Sequence, residues 1–315
     1  MLELYFPYLR GKQYELLAIR ALSECGKLSK MVMPILEPVA PSITLCKTLE
    51  TLQVNGNRIA FVGNPEAGDF LHNFKKEKQE KTDIYSRIKN CINNEQIVIK
   101  AFINKENSYS SLKKRSDITQ SLVINRNRDD LDRYLDICEN GDPKYSVIPD
   151  DRAFKRTVNG EKIVLSDGFN KKSRNADYAD TPDEFFSDWH LFYKEEGFAG
   201  FSDYSIVGEG YNDSGFIPYA VAIHIVYLSG DKTLRVKHFV SENTKKGGNV
   251  AGKFGEALDK MKEWIDETNP YSTVGLELFM SCHKKHRFPG LGSIKQMSIM
   301  HHMELMGHFL ESENI

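Results

Sequence analysis

Nothing in this chain points to a cross-linked or membrane-embedded fold. It has five cysteines in 315 residues, odd in number, widely spaced and never in a C-x-x-C pair. That pattern supplies neither a disulfide framework nor zinc-ribbon spacing, and it suits a reducing compartment. Apolar runs stop at about ten residues, half of the ~20 that a spanning helix needs. The N-terminal MLELYFPYLRGK places a proline and charges where a signal peptide requires an unbroken apolar stretch. The expectation is a cytoplasmic protein with neither secretion nor a membrane span. Charge of one sign is also missing: 42 basic and 44 acidic residues leave a net charge of -2, so a nucleic acid or an acidic membrane would have to meet a local patch. There is no internal repeat, and no G-x-S-x-G, H-E-x-x-H or Cys-His nucleophile signature.

What the chain does have is alternation. Short β-branched or aromatic runs occur at 31–39, 58–63, 96–103, 120–124, 144–149, 162–167, 198–203 and 219–229. Segments of helical period separate them at 42–54, 82–93, 108–114, 129–139 and 182–195. In the last of these Thr181 and Glu184 form a capping box with Pro182 in the first helical position. Eight strand–helix units predict a decorated (β/α)8 TIM-like barrel, with an open doubly wound α/β sheet as the alternative. Ser229-Gly230-Asp231 joins the eighth run to TLRVKHFVS as a β-hairpin, a departure from a pure barrel. A helix from about residue 251 and a helical tail broken at Phe288-Pro289-Gly290 close a single domain: N-terminal strand tip and helix over 1–30, main barrel over 31–229, hairpin strand and closing helices over 230–315. FKKEKQEKTD (74–83) reads as a solvated face.

On a barrel, function sits at the C-terminal ends of the strands. The polar residues there are Glu37, Asn64, Lys100, Asn125, Asp150, Asp167, Asp203 and, inside the eighth run, His224. Asp and Asn also favour turns and caps, so this set has a structural reading as well. Asp167 and Asp203 open two long loops, DGFNKKSRNADY and SDYSIVGEGYND. Together they are candidates for a divalent metal, Mg2+ or Mn2+, or for split acid and base roles, with Lys100 and Glu37 beside them. KKGGNVAGKFGEAL carries Gly247, Gly252 and Lys253 at P-loop spacing, but Phe254 stands where a Ser or Thr should bind Mg2+. This excludes an NTPase of that class and leaves a glycine loop that could hold a phosphate. HHMELMGHF reads as a Met-lined amphipathic helix with its histidines on the wet side, and His283 with His286 lacks a matching carboxylate for a metal.

The opening YFPYLRGKQYELLAIRAL (5–22), with PILEPV and the GKFGEAL helix, resembles the bacterial "sce" locus-tag family and, more distantly, the phage beta-protein family. The likeness covers most of the chain and is most specific in the N-terminal block. It implies a barrel-like fold, a phage-defence or mobile-element setting, and a smaller nuclease-like partner encoded nearby; it assigns no catalytic residues. The expectation is therefore a barrel protein that binds a phosphate-bearing ligand at its C-terminal rim. A metal-dependent phosphodiesterase or nuclease and a non-catalytic scaffold are the alternatives. Within the opening block, Tyr14, Leu17, Ala18, Ala21, Leu22 and Cys25 are expected to face inward, with Glu15 and Glu24 in water. Arg10 and Lys12, preceding the first strand, would sit at the stability face of the barrel.

Overall fold

The computed structural model describes residues 3–211, 219–242 and 248–313. Eight parallel strands form one sheet: β1 (Tyr8–Leu9), β2 (Ile35–Leu36), β3 (Ile59–Val62), β4 (Val98–Ile103), β5 (Leu122–Ile124), β6 (Tyr145–Pro149), β7 (Glu161–Ser166) and, after a side strand β8 (Asp183–Ser187), β9 (Gly200–Asp203). The sheet curls until its edges meet. Tyr5 bridges Phe201 in parallel, Phe6 N donates to Phe201 O at 2.9 Å, and Phe201 N donates to Leu4 O at 2.9 Å. The fold is thus a (β/α)8 TIM-like barrel.

Its lumen is filled by the inward-facing residues of each strand, among them Phe6, Tyr8, Ile35, Val62, Ala101, Ile124, Val147 and Ile163, all buried. The alternate residues, such as Leu9, Leu36, Phe61, Val123 and Phe201, face the surrounding helices. These helices are α1 (Gln13–Glu24), α2 (Ile43–Asn55), α3 (Phe70–Gln79), α4 (Asp83–Ile92), α5 (Glu106–Leu112), α6 (Leu131–Ile137) and α7 (Arg152–Thr157). Local signals set their ends: Ser42 caps α2 at Leu45 N, Thr82 caps α4 at Tyr85 N, and Gly56 ends α2 in the left-handed region.

Three expectations are corrected here. First, YFPYL is itself the first barrel strand, so the barrel starts near residue 5 and not at residue 31. The run 219–229 is not the eighth strand. It forms β10 (Ala222–Leu228), which pairs with β11 (Leu234–Val240), and β11 pairs with β8 in a separate antiparallel sheet. Second, 182–195 is not one helix: Asp183–Ser187 is strand β8, followed by a single turn, α8 (Trp189–Phe192). Pairing with β11 overrides the local cap signal, and Glu184 spends its carboxylate on other partners. Third, α1 is rotated from the expected face. Glu15 is fully buried and Cys25 exposed, because Glu15 accepts from Arg10 N at 2.7 Å and from Lys295 Nζ at 2.5 Å.

The side sheet packs one face on α9 (Val250–Thr268), α10 (Val274–Lys284) and α11 (Leu291–Ser312), through Val221, Ile223, Ile225, Phe239, Phe254, Met261 and Phe279. Helix α11 lies between barrel and side sheet, so most of its faces are covered. His301 and His302 are therefore buried, not on a wet side: His301 contacts Thr273 Oγ1 and Val226 O, and His302 contacts Ser205 Oγ. No helix among the described residues is long and apolar enough to cross a membrane.

Closure leaves no room at Gly200. A Cβ there would lie 2.6 Å from Leu4 O and 2.9 Å from the Phe6 ring. Gly200→Val should therefore lower stability by about 2–4 kcal/mol, measured by denaturant unfolding, whereas Gly197→Ala in the preceding loop, with nothing within 4 Å of its added Cβ, should cost less.

Candidate functional site

Because YFPYL is a barrel strand, Arg10-Gly11-Lys12 is the first β-to-α loop and sits on the C-terminal rim. Gly11 makes the turn possible, with φ +63° and only 3.1 Å between a notional Cβ and Glu37 O. The loop folds over Glu37, which follows β2. Glu37 is 1% exposed and is held from several strands. Its Oε2 accepts from Tyr8 OH at 2.8 Å and Arg126 Nη2 at 3.3 Å, and lies 3.5 Å from Arg10 Nε. Its Oε1 accepts from Glu66 N at 2.7 Å and Ala67 N at 3.0 Å. Burial alone would raise the Glu37 pKa, but the Glu66 N–H, the Arg126 charge, the Ala67 N–H and the Tyr8 hydroxyl outweigh it and hold it below the usual glutamate range.

Two arginines frame this carboxylate. Arg126, beyond β5, donates to Tyr8 OH at 2.7 Å and to Glu66 Oε2 at 2.6 Å. The Arg10 guanidinium stands 5.1 Å from the centres of both the Tyr8 and Tyr204 rings, and one Nη donates to Glu209 O. Among the described residues its other Nη, Nη1, is buried without a hydrogen-bond partner, as are Arg126 Nε and Tyr204 OH. Buried donors left unmade are costly, which marks this mouth as built for more than its own packing.

Arg10 also lines a cleft of about 240 Å³ between the β1, β7 and β9 loops and the start of α11. Lys12, Lys171, Lys172 and Lys295 bring the cations among its described lining residues to five, with Glu15 the carboxylate described there and Lys172 paired with Glu184 at 3.2 Å. Lys171 donates to Gly210 O at 2.9 Å, and Lys12 lies 4.6 Å from the centre of the Tyr211 ring. The Lys171 pKa is lowered, first by burial and then by the charges of Lys295 and Arg10. Such crowding of like charge is relieved by a bound anion.

The remaining predicted residues fall in several places. Asp167 lies on the rim, but its two oxygens accept from Phe169 N at 3.1 Å and Glu209 N at 2.8 Å, tying the two long loops together. Asp203 is 3% exposed and accepts from Tyr5 OH at 3.0 Å and Ser205 N at 2.7 Å. Among the described residues no three His, Cys, Asp or Glu side chains converge as a metal site. Asn64 clamps β4 through both backbone groups of Ile103, at 2.8 Å each. Asn125 accepts from Asn104 Nδ2, and Asp150 pairs with Lys155 at 2.7 Å.

Lys100 is corrected: it lies within β4, pairs with Asp117 at 3.1 Å, and lines a cleft with Arg58 and Lys144 where strands begin. The strand runs on to Ile103, so Lys100 is at the wrong end for the rim. Lys253 is corrected too. It is 1% exposed inside α9 and donates to Tyr219 O at 2.9 Å, while an added Cβ at Gly252 would lie 2.4 Å from Asn249 Nδ2. This segment is a helix start packed on the side sheet, not a phosphate loop; Gly247 lies outside the described residues. His224 is not in a barrel strand, yet the side sheet brings it to the cation cleft.

Sequence reasoning missed Arg126, Tyr204, Lys171, Lys172 and Lys295. Lys171 and Lys172 stand in a loop that the sequence did mark. The chain matches no protein-family model, no curated protein and no solved structure.

Two outcomes follow from the electrostatics. Glu37→Ala should lower stability by about 3–5 kcal/mol, since it strands buried arginines, read by denaturant unfolding at pH 7. Because the Glu37 pKa is depressed on folding, its contribution is full above the unfolded glutamate pKa and should fade only as pH drops through the lower folded value. Asp203 behaves oppositely: burial, helped by Asp167 and opposed by Ser205 N and Tyr5 OH, pushes it up to about 7. The fold thus retains a proton that the unfolded chain has released, and stability drains as pH rises from about 4 to 7. Asp203→Asn, which mimics the neutral acid, should match wild type near pH 4 and exceed it by roughly 2–4 kcal/mol at pH 8.

Proposed function

We propose that this protein binds a phosphate-bearing ligand in the cation-lined cleft on the C-terminal rim of its barrel. The observation that carries this reading is the convergence of Arg10, Lys12, Lys171, Lys172 and Lys295 on one cleft in which Glu15 is the single carboxylate among the described lining residues. Glu15 holds Lys295, Glu37 holds Arg10 and Glu184 holds Lys172, whereas Lys171 meets the Gly210 carbonyl, so an anion is best placed beside Lys171. A buried Arg10 Nη1 without a hydrogen-bond partner among the described residues supports the same reading. The cleft also occupies the end of the barrel where barrel proteins place ligands.

The metal-dependent phosphodiesterase alternative finds no such support: Asp167 spends both oxygens on loop backbone, Asp203 gives Oδ1 to Tyr5 and Ser205 N, and among the described residues no third ligand joins them. The scaffold alternative called for an exposed apolar patch without a convergent polar site, and the cleft is a convergent polar site. The wider setting, a cytoplasmic protein of a bacterial defence or mobile-element module acting with a smaller nuclease-like partner, rests on the resemblance carried by the YFPYLRGKQYELLAIRAL block.

The test is titration of the full chain with inorganic phosphate and pyrophosphate by calorimetry. Binding should weaken as salt rises, and Lys171→Gln should cost roughly tenfold in affinity, the worth of one charge-assisted hydrogen bond. Absence of binding at millimolar ligand, or an affinity indifferent to Lys171→Gln, would refute the reading.

A further inference from the structure

A chain of three side chains ends at the cation cleft. His224 on β10 and His238 on β11 are directly opposed in the ladder, and their Nδ1 atoms lie 2.7 Å apart. His238 Nε2 is 3.1 Å from Glu184 Oε2 on β8. Glu184 in turn takes Asn170 Nδ2 at 3.1 Å and Lys172 Nζ at 3.2 Å. The Phe169 and Tyr178 rings pack edge-on against His224, with centres 5.1 and 4.5 Å away. Neither ring competes for its nitrogens.

This order fixes the protons. Glu184 is ionised, since its hydrogen bonds to Asn170, Lys172 and His238 outweigh the effect of burial. It can only accept, so His238 Nε2 carries the hydrogen. Burial keeps His238 neutral, which leaves its Nδ1 a bare acceptor. His224 Nδ1 must then donate to it, and His224 Nε2 is left with a lone pair. That atom makes no hydrogen bond with any described residue, and His224 lines the cleft.

We infer that His224 Nε2 is the hydrogen-bond acceptor that selects the ligand of this cleft, which is a phosphate ester carrying a hydroxyl beside its phosphate. His238 and Glu184 are positioning residues that hold the tautomer. The inference rests on the proposed anion site, because the cations of the cleft anchor the phosphate and His224 reads the group next to it. A cleft of cations alone would take any phosphate. One inward-facing acceptor that cannot donate favours an O–H neighbour and disfavours a second anionic oxygen.

The experiment titrates the full chain with four probes by calorimetry: inorganic phosphate, methyl phosphate, glycerol 1-phosphate and adenosine 5′-monophosphate. In wild type the hydroxyl-bearing esters should bind more tightly than methyl phosphate. His224→Phe should leave inorganic and methyl phosphate within about twofold and weaken the hydroxyl-bearing esters about fivefold, the loss of one neutral hydrogen bond. His224→Gln, whose amide oxygen can accept, should restore part of that loss. Sensitivity confined to glycerol 1-phosphate assigns a small polyol phosphate; sensitivity confined to adenosine monophosphate assigns a nucleotide.

Equal weakening of all four probes, or none, overturns the role of His224 while leaving the anion site standing. If no probe binds wild type, the anion site itself fails. Imidazole ¹⁵N spectra at pH 7 test the tautomer independently: Nδ1 protonated and Nε2 bare on His224 is the expected pattern, and a protonated Nε2 overturns the inference.

Discussion

The carboxylate of Glu37 is the constraint on which the barrel mouth depends. It is buried, it is charged, and it stands where β1, β2 and the loops after β3 and β5 all come within hydrogen-bond reach. A buried charge is tolerable only when paired and fully bonded. Meeting that demand recruits Tyr8 from the first strand, Arg126 from beyond the fifth, and two backbone amides from the loop after the third. Each recruited group has its own demands: Arg126 calls in Glu66, and Glu66 lies 3.5 Å from Lys105. The network behaves as one unit, so double-mutant effects within it should depart from additivity. It also fixes Arg10, whose Nε completes the set around Glu37 and whose guanidinium lies 5.1 Å from the centres of both the Tyr8 and Tyr204 rings.

Arg10 joins two regions of opposite character. Toward the lumen its charge is matched by Glu37; toward the rim it stands with four lysines, of which Lys295 is held by Glu15 and Lys172 by Glu184. The mouth is thus electrostatically closed on one side and open on the other. For the proposed anion this asymmetry favours the cleft: in the mouth it would have to displace Glu37 from good partners, whereas in the cleft it would relieve the repulsion that Lys295 and Arg10 exert on Lys171.

Much of the barrel was legible because parallel strands covered on both faces read as continuous apolar runs. Seven of the eight expected runs coincide with barrel strands β2 to β7 and β9. The eighth failed for the same reason that the others succeeded. YAVAIHIVYLS is equally apolar, and only its antiparallel partner distinguishes it, a long-range fact that no local pattern carries. YFPYL was read as a strand tip ahead of the barrel and not as a barrel strand; Pro7 is tolerated there just before the two ladder residues of β1. The error had a large effect, since it placed Arg10 and Lys12 at the wrong end. Of the site itself, Glu37 and the loop bearing Lys171 and Lys172 were visible from strand-end logic. Arg126 was not, because an arginine in NRNRDD looks like any solvated turn. Lys295 was not, because its cleft is assembled from segments nearly 300 positions apart.

Part of the cleft is built by what decorates the barrel. His224 comes from the side sheet and Lys295 from α11, so the shape of the cleft depends on how firmly α11 is held to the rim. The holding point is polar. His302 lies seven residues after Lys295, two turns along the helix and therefore on the same side. Its Nδ1 is 3.0 Å from Ser205 Oγ, just past β9. Ser205 itself sits at φ +50°, a conformation that a serine adopts only under local constraint, and its N–H is bonded to Asp203, which Tyr5 also holds. The same Tyr5 bridges Phe201 where the barrel closes. Closure of the sheet, anchorage of α11 and the position of Lys295 in the cleft are therefore one mechanical chain, and a change that loosens the Tyr5–Asp203–Ser205 link is transmitted to the cleft without touching any residue that lines it.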